Sequence, residues 1–183
     1  MTVWTIGHST RALEGLIAAL KAHQIEVLGD VRSFPMSARH PQFNRENLEA
    51  ELPKAGLAYH WLGEKLGGYR KKMRPDSPHT ALRSAGFRNY ADYMENEEFR
   101  QCVQELLKLA EEKRVAYMCA ERLWWRCHRS LISDYLAAVC GIEVIHVFEE
   151  KKTEPHRMSK FARVTSSGLI YDLGETGELN PRG

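Results

Sequence analysis

Short apolar runs alternate with amphipathic stretches along most of the chain, and this alternation predicts the order of its elements. Five runs have the length and composition of strands, at residues 3–6, 25–31, 57–62, 115–119 and 142–148. Between them we predict helices that face a core, starting near residues 13, 45, 96 and 128. Because strands alternate with helices, we predict an α/β fold with a mainly parallel sheet covered by helices on both faces.

The pattern changes after residue 150. Residues 161–164 and 169–171 flank a Ser-Ser-Gly sequence, which predicts a short hairpin, and residues 175–183 are polar enough to fray. A chain of 183 residues, 43% of them hydrophobic, can bury one substantial core and is short for two. We therefore expect a single domain, with its core in residues 1–150 and a C-terminal hairpin and tail in residues 151–183.

Composition narrows the class of protein further. No apolar run approaches the roughly 18 residues that a membrane helix needs, and the first residues lack the features of a signal peptide. We therefore expect a cytoplasmic protein with no membrane partner. The four cysteines are too few for a disulfide scaffold, and the cytoplasm would keep them reduced. Cys102 and Cys140 lie on or beside apolar helical stripes, so we assign them no chemistry.

One segment is basic although the formal net charge is only +2. Residues 65–89 are rich in glycine and proline, which predicts a basic, mobile loop. Its cations between residues 69 and 89 are Arg70, Lys71, Lys72, Arg74, Arg83 and Arg88, against Asp76 alone. Together with Trp124 and Trp125, this loop could grip a nucleic acid strand. For the tryptophans themselves, a loop lid packed on the core is the favoured interpretation.

Polar side chains follow the predicted strands. The ligand site of an open parallel sheet lies outside the carboxyl ends of its strands, where the helix amino termini also meet. We therefore predict that side chains from several strand ends and from the helix opening at Cys127 share one cleft. The predicted cleft residues are His8, Asp30, Arg32, Cys119, Glu121, Cys127 and Arg129.

Cys127 is a candidate nucleophile or redox thiol. A helix amino terminus and the neighbouring His128 and Arg129 would each lower the pKa of its thiol. The alternative is a small buried residue at the helix cap. The phosphatase and rhodanese pattern is excluded, because Ser133 stands six residues after Cys127, where an arginine is required.

Metal binding is a further candidate chemistry. Cys119, Glu121, Cys127 and His128, with or without His8, offer ligands that suit Zn²⁺ or Fe²⁺. The spacing of the cysteines differs from the tight pairs of structural zinc sites. The alternative for Cys119 is a buried core residue.

Two carboxylates could move protons in the cleft. Glu121 and Asp30 would act as general acid or base if burial raised their pKa values. They could instead hold the loops by ion pairs with Arg32, Arg122 or Arg129.

Several arginines predict an anion site. Arg11, Arg32 and Arg129 come from separate strand ends and Arg70 from the glycine-rich loop, and phosphate or carboxylate would suit them. Ser9 and Asn44 are added as substrate-binding candidates. We expect a solvated Arg129, so that its replacement by alanine would leave the stability of the unliganded protein nearly unchanged.

Several motifs occur along the chain in a recognisable order. They are residues 5–11, 30–32 with Pro35 and Ser37, 41–44, 62–68, 87–94, and 118–121 followed by 127–130. In this order they resemble the uncharacterised family called domain of unknown function 488, over roughly residues 2–172. The Trp124-Trp125 pair is similar to one subgroup of that family. The resemblance implies no established reaction and leaves the cofactor open.

Two functions from different classes are compatible with these residues. The first is an enzyme that acts on a phosphorylated or otherwise anionic substrate such as a nucleotide, with Cys127, Glu121 or His8 performing the chemistry. The second is a nucleic-acid-binding module without turnover, which would lose affinity steeply with ionic strength. A metal-binding sensor or carrier is a third. The substrate, the metal and the oligomeric state do not follow from the sequence.

Overall fold

The computed structural model describes residues 1–72, 74–166 and 168–172. The strands are β1 (Thr2–Gly7), β2 (Val27–Asp30), β3 (Ala58–Trp61), β4 (Val115–Cys119), β5 (Glu143–Glu149), β6 (Lys152–Pro155), β7 (Ala162–Thr165) and β8 (Gly168–Tyr171). The helices are α1 (Leu13–Ala22), α2 (Arg45–Lys54), α3 (Gly63–Leu66), α4 (Ala85–Tyr93), α5 (Glu97–Glu112) and α6 (Arg129–Ala138). Short 3₁₀ turns lie at Pro41–Phe43 and Trp124–Arg126.

The main sheet has six strands in the order β3-β2-β4-β1-β5-β6. The first five pair in parallel, and β6 adds antiparallel to β5 at one edge. From β1 the chain passes to β2 on one side, whereas from β4 it passes to β5 on the other side. The strand order therefore reverses between β1 and β4, and their carboxyl ends form the crevice where ligands bind in open α/β sheets.

Helices cover both faces of this sheet because the strands β1, β2 and β4 are buried on both sides. On one face, Leu16 and Leu20 of α1 pack with Leu48 and Leu52 of α2. On the other face, apolar residues of α4, α5 and α6 form the larger core with the β7–β8 hairpin. The helix α5 follows its sequence pattern closely, and its buried residues are Phe99, Cys102, Val103, Leu106 and Leu107. The crevice thus opens between two helical layers.

These elements confirm the predicted single α/β domain with a mainly parallel sheet and a short C-terminal hairpin. The sequence missed β6, a short and largely exposed edge strand without an apolar run. The prediction of a basic, mobile loop over residues 65–89 is wrong at its end, because α4 begins at Ala85. The Ser84 hydroxyl caps that helix by accepting a hydrogen bond from the Phe87 amide at 3.5 Å.

The tail predicted to fray at residues 175–183 lies outside the described residues. Within the described part of the chain, every helix is too short or too polar to cross a membrane.

Candidate functional site

The carboxyl ends of β1, β2 and β4 bring several of the predicted site residues together. The His8 amide donates to the Cys119 carbonyl at 2.9 Å, and the Val31 amide donates to the Met118 carbonyl at 2.9 Å. Gly7, at the end of β1, lets the loop after β4 cross closely. A Cβ atom there would lie 2.0 Å from the carbonyl oxygen of Glu121. The loop that carries Glu121 therefore requires glycine at this position.

A buried ion pair stands at the end of β2. Asp30 is completely buried and accepts from Arg32 Nε at 2.9 Å and from the Tyr59 hydroxyl at 2.8 Å. The Arg32 guanidinium also donates to the Phe43 carbonyl at 2.7 Å and to His8 Nε2 at 3.1 Å. Every charged group of this cluster thus has a protein partner, and the ion pair connects β2 to the loop before α2.

His8 is held neutral by this cluster. Its Nε2 lone pair accepts from Arg32, so its Nδ1 carries the proton and donates to the Ser9 carbonyl at 2.9 Å. Burial and the positive charge of Arg32 lower the pKa of His8 to about 4. Because its lone pair is occupied, His8 is a poor general base, and Asp30 is likewise committed to Arg32. Both fit the structural alternative better than the catalytic role predicted from the sequence.

The predicted anion-binding arginines are also used by the protein itself. Arg129 is 1% exposed and donates to Thr5 Oγ1 at 3.3 Å and to the Glu121 carbonyl. Arg11 donates to the Phe148 carbonyl at 2.8 Å, and Arg32 is paired with Asp30 as described. The expectation of a solvated Arg129 is therefore wrong. Its side chain turns back from the helix terminus into the protein, where it bridges β1 and the loop after β4.

Three further substrate-binding candidates have local roles. Asn44 Oδ1 accepts from the Ser37 amide at 2.6 Å and so shapes the loop before α2. Arg70 donates to the Glu64 carbonyl at 3.0 Å and lies 3.9 Å over the ring of Tyr93. Ser9 has a φ of 52° and lines an open pocket of about 600 Å³.

We call this open cavity the Arg11 pocket. Its lining residues are Ser9, Thr10, Arg11, Gly15, Ala19, Arg122, Glu149, Glu150 and Lys151. Arg122 pairs with Glu149 at 3.3 Å across it, so both signs of charge meet in the pocket. It is the larger of the two pockets near the predicted cleft, but it contains no cysteine or histidine. We therefore place the chemistry elsewhere.

Two cysteines and a histidine form a compact cluster at the end of β4 and the start of α6. One potential ligand atom from each of Cys119, Cys127 and His128 lies within 4.8 Å of the other two. The Cys127 sulfur is 3.4 Å from His128 Nδ1. His128 Nε2 lies 3.0 Å from the Val31 carbonyl, which can only accept, so Nε2 carries the proton. In the neutral ring, the lone pair of Nδ1 therefore faces the thiols.

The environment of Cys127 favours its thiolate. A hydrogen bond from the Cys119 thiol lowers the pKa of Cys127, and the charge and backbone amide of Arg129 lower it further against the effect of burial. The pKa of Cys119 is raised, because this thiol keeps the proton that it donates and is itself buried. Burial raises the pKa values of Cys102 and Cys140. Cys127 is thus the most acidic of the four thiols. Of the causes predicted from the sequence, Arg129 contributes, whereas the largest cause is the hydrogen bond from Cys119.

A pocket of about 310 Å³ opens onto this cluster, and we call it the Cys127 pocket. Its lining residues are Gly68, Ser84, Gly86, Phe87, Tyr90, Glu121, Arg126, Cys127 and His128. Sequence reasoning missed Arg126 and the start of α4 as parts of the site. Ser84 directly before an amphipathic stretch was an available signal for a capped helix. Nothing in the sequence pattern indicated that α4 would face Cys127.

Gly68 allows the close packing of the glycine-rich loop against His128. A Cβ at this position would lie 2.5 Å from His128 Nδ1. We expect Gly68→Ala to lower the free energy of unfolding by about 1–3 kcal/mol, because the ring or the loop must move. Urea denaturation measures this loss. Gly86→Ala in the same pocket is the control, since its Cβ would meet only Ser84 Oγ at 3.7 Å. Equal stability of the two variants would contradict the role of Gly68.

The remaining candidates have mixed placements. Glu121 is exposed, and its carboxylate accepts from the Leu123 amide at 3.0 Å while lining the Cys127 pocket. Trp124 stacks on His146 with ring centroids 4.1 Å apart, whereas Trp125 is 50% exposed. In the basic loop, Arg74 is paired with Asp92 at 3.2 Å and with Glu95 at 3.1 Å. Trp124 and Arg74 are therefore engaged within the protein.

Comparison with known families shows to which family the chain belongs. The sequence matches the family described as Domain of unknown function DUF488 over residues 12–136. The chain belongs to this family. The match to DUF488 confirms the resemblance seen in the motifs, over a shorter stretch than the residues 2–172 expected from them. Cys119, Cys127 and His128 of the DUF488 chain lie inside the matched stretch, whereas His8 lies before it. No curated protein and no solved structure matches the chain.

Proposed function

We propose that this protein is an enzyme that acts on an anionic substrate, such as a phosphate ester or nucleotide, in the Cys127 pocket. The observation that carries this proposal is the Cys127–His128 pair, which opens directly onto a pocket of about 310 Å³. A cysteine–histidine pair occurs in many reactive-thiol and metal sites, where a third group holds the imidazole in one orientation. Here the Val31 carbonyl holds His128. A cytoplasmic location, where thiols stay reduced, suits this chemistry.

Two positive features of the pocket can receive an anion, although one carboxylate offsets part of their charge. Arg126 is exposed and lines it, and within the described residues no ion pair engages this guanidinium. The first turn of α4 also faces the pocket through Gly86 and Phe87, and a helix amino terminus carries positive potential. Glu121 adds one carboxylate at the same pocket. Hydrolysis of a phosphate ester, or transfer of its phosphoryl group, requires a residue that takes up or delivers a proton, and Glu121 can fill this role.

This assignment moves the anion site away from the arginines predicted from the sequence. Arg11, Arg32 and Arg129 donate to protein oxygens, so they have fewer hydrogen bonds left for a ligand. The guanidinium of Arg126, in contrast, is exposed to solvent, so its donors are free for a ligand, and it lies next to Cys127 in the chain. The basic segment before α4 is partly neutralised by Asp92 and Glu95, which favours the enzyme over the nucleic-acid-binding module.

Sulfate and nucleotides provide the first test. We expect both to raise the melting temperature, because a ligand that binds only the native state stabilises it by about 2.7 kcal/mol at a hundredfold excess over its Kd. Arg126→Ala should remove most of this shift. Arg122→Ala in the Arg11 pocket is the matched control and should keep the shift. A shift that Arg122→Ala removes and Arg126→Ala keeps would place the anion in the wrong pocket for this proposal.

Turnover is the second test. The wild-type protein is incubated with a panel of nucleotides and phosphate esters, and mass spectrometry detects the products. We expect conversion of at least one compound that also raises the melting temperature, and a loss of at least about a hundredfold in Cys127→Ser. Binding without turnover that weakens steeply with salt, strongest for oligonucleotides, would instead support the nucleic-acid-binding module.

A further inference from the structure

We propose that Cys119, Cys127 and His128 bind a zinc ion, with its fourth coordination position open to the Cys127 pocket. This inference deepens the proposed function, since it names a cofactor for the same site. The binding of zinc itself does not depend on which substrate the pocket takes.

The distances in the cluster are close to those of a tetrahedral zinc site. Zinc–sulfur bonds of about 2.3 Å and zinc–nitrogen bonds of about 2.0 Å place tetrahedral ligands about 3.5–3.8 Å apart. The Cys127 sulfur and His128 Nδ1 are 3.4 Å apart, and all three ligand atoms lie within 4.8 Å of one another. A small movement of these side chains would bring all three ligand atoms to zinc-binding distance.

The orientation of His128 is the one that a metal ligand requires. Metal-bound histidine almost always donates its other ring nitrogen to a carboxylate, carbonyl or water, which fixes the tautomer and the ring plane. His128 Nε2 donates to the Val31 carbonyl, so Nδ1 keeps its lone pair directed at the thiols. Gly68 contributes by leaving this side of the ring free of a side chain. The carbonyl that holds the ring belongs to the rigid end of β2.

The donor set selects the metal. Two thiolates and one imidazole are soft and borderline ligands, which suit Zn²⁺ and exclude Mg²⁺ and Ca²⁺ as partners. A bound zinc ion would displace the thiol protons of Cys119 and Cys127. Two thiolates then balance the charge of Zn²⁺ in a largely buried place.

The open fourth coordination position would allow the zinc ion to bind and activate a water molecule. Zinc held by three protein ligands lowers the pKa of a bound water to about 7. Glu121 lines the same pocket without belonging to the ligand cluster, so it can take the proton of that water. Zinc held by Cys119, Cys127 and His128 would supply this hydroxide as the nucleophile that displaces the leaving group, and Glu121 would pass the proton to that leaving group. Zinc deaminases divide the work in the same way between a histidine–cysteine metal site and a separate glutamate.

Metal analysis of the full-length protein tests the site. We expect the protein purified without chelators to contain about one zinc ion per chain, since three ligands converge on one position. Cys119→Ser, Cys127→Ser and His128→Ala should each lower the zinc affinity by more than about tenfold. Cys140→Ser is the matched control and should keep the metal. Circular dichroism of each variant shows whether it is folded.

A second measurement needs no variant and so does not depend on their folding. With zinc bound, iodoacetamide should label Cys127 slowly, and a chelator should accelerate that labelling, because coordination occupies the thiolate. Cobalt in place of zinc should give the absorption of a tetrahedral thiolate complex.

The outcomes separate the two proposals. Zinc content unchanged in all three ligand variants would overturn the zinc site, as would labelling of Cys127 that zinc does not slow. If zinc fails in this way while Arg126→Ala still removes anion binding, the proposed function stands with Cys127 as a nucleophile. If zinc binds but no anion does, the zinc site stands and the proposed function falls.

Discussion

Replacement of Arg129 by alanine is expected to lower the free energy of unfolding by about 2–5 kcal/mol, the range for truncation of a large buried side chain together with the loss of its hydrogen bonds. The guanidinium is 1% exposed, and its removal leaves Thr5 and the Glu121 carbonyl without a donor. The truncation also leaves a cavity in a packed region. Urea denaturation followed by circular dichroism measures the loss.

Arg126→Ala is the matched control for this prediction. The two arginines lie three residues apart, but Arg126 is exposed, so its replacement should change the stability by less than about 0.5 kcal/mol. Arg129→Ala should also slow the alkylation of Cys127, because the charge of Arg129 helps to lower the pKa of that thiol. Similar stability of the two variants would show that Arg129 is not the structural bridge described here.

Asp30→Ala is expected to lower the free energy of unfolding by about 3–5 kcal/mol, because it leaves the charge of Arg32 buried without its partner. Asp30 is 0% exposed and Arg32 is 7% exposed, so little solvent can replace the lost carboxylate. The hydroxyl of Tyr59 also loses its acceptor. Thermal and urea denaturation both report this change.

An exposed ion pair in the same protein provides the comparison. Arg45 and Glu49 pair on the surface of α2 with 43% and 45% exposure, so Glu49→Ala should cost less than about 1 kcal/mol. In addition, Asp30→Ala/Arg32→Met should be more stable than Asp30→Ala alone, since it removes the unpaired charge. A single Asp30→Ala variant as stable as Glu49→Ala would refute the account of the buried pair.

The Asp30–Arg32 pair bears on the candidate site as well as on stability. Val31, between them, holds His128 through its carbonyl oxygen. A scaffold that fixes this carbonyl also fixes the imidazole beside Cys127, because a histidine with one nitrogen anchored can turn little. Asp30 and Arg32, predicted to be catalytic and anion-binding, are thus better explained as the support of His128.

The sequence predicted that the site lies at the carboxyl ends of the strands, and the reason is the topology of a parallel sheet. In a parallel sheet the polar residues that follow strands must meet at one edge, so His8, Asp30, Cys119 and the helix opening at Cys127 were expected together. The structure brings them there, between β1 and β4. A lowered pKa of Cys127 was also expected from a helix amino terminus with basic neighbours. Its largest cause is the hydrogen bond from Cys119, which the sequence did not indicate.

The division of these residues into two groups did not follow from the sequence. The pattern of residue types is the same for an arginine that binds a ligand and for one that donates to carbonyls. Only the packing shows that Arg32 turns to Asp30 and that Arg129 turns into the protein, while Arg126 stays in solvent. The roles of arginines are decided by which acceptors the folded chain places within reach.

The sequence by itself therefore determined the α/β class, the parallel strands and the edge that carries the polar residues, because these depend on periodicity and on near neighbours in the chain. Tertiary structure alone decided that α4 faces Cys127, that Val31 orients His128, and that Cys119 joins them in one cluster. These contacts join residues far apart in the chain. Their distances depend on how helices pack on the sheet, which no local pattern encodes.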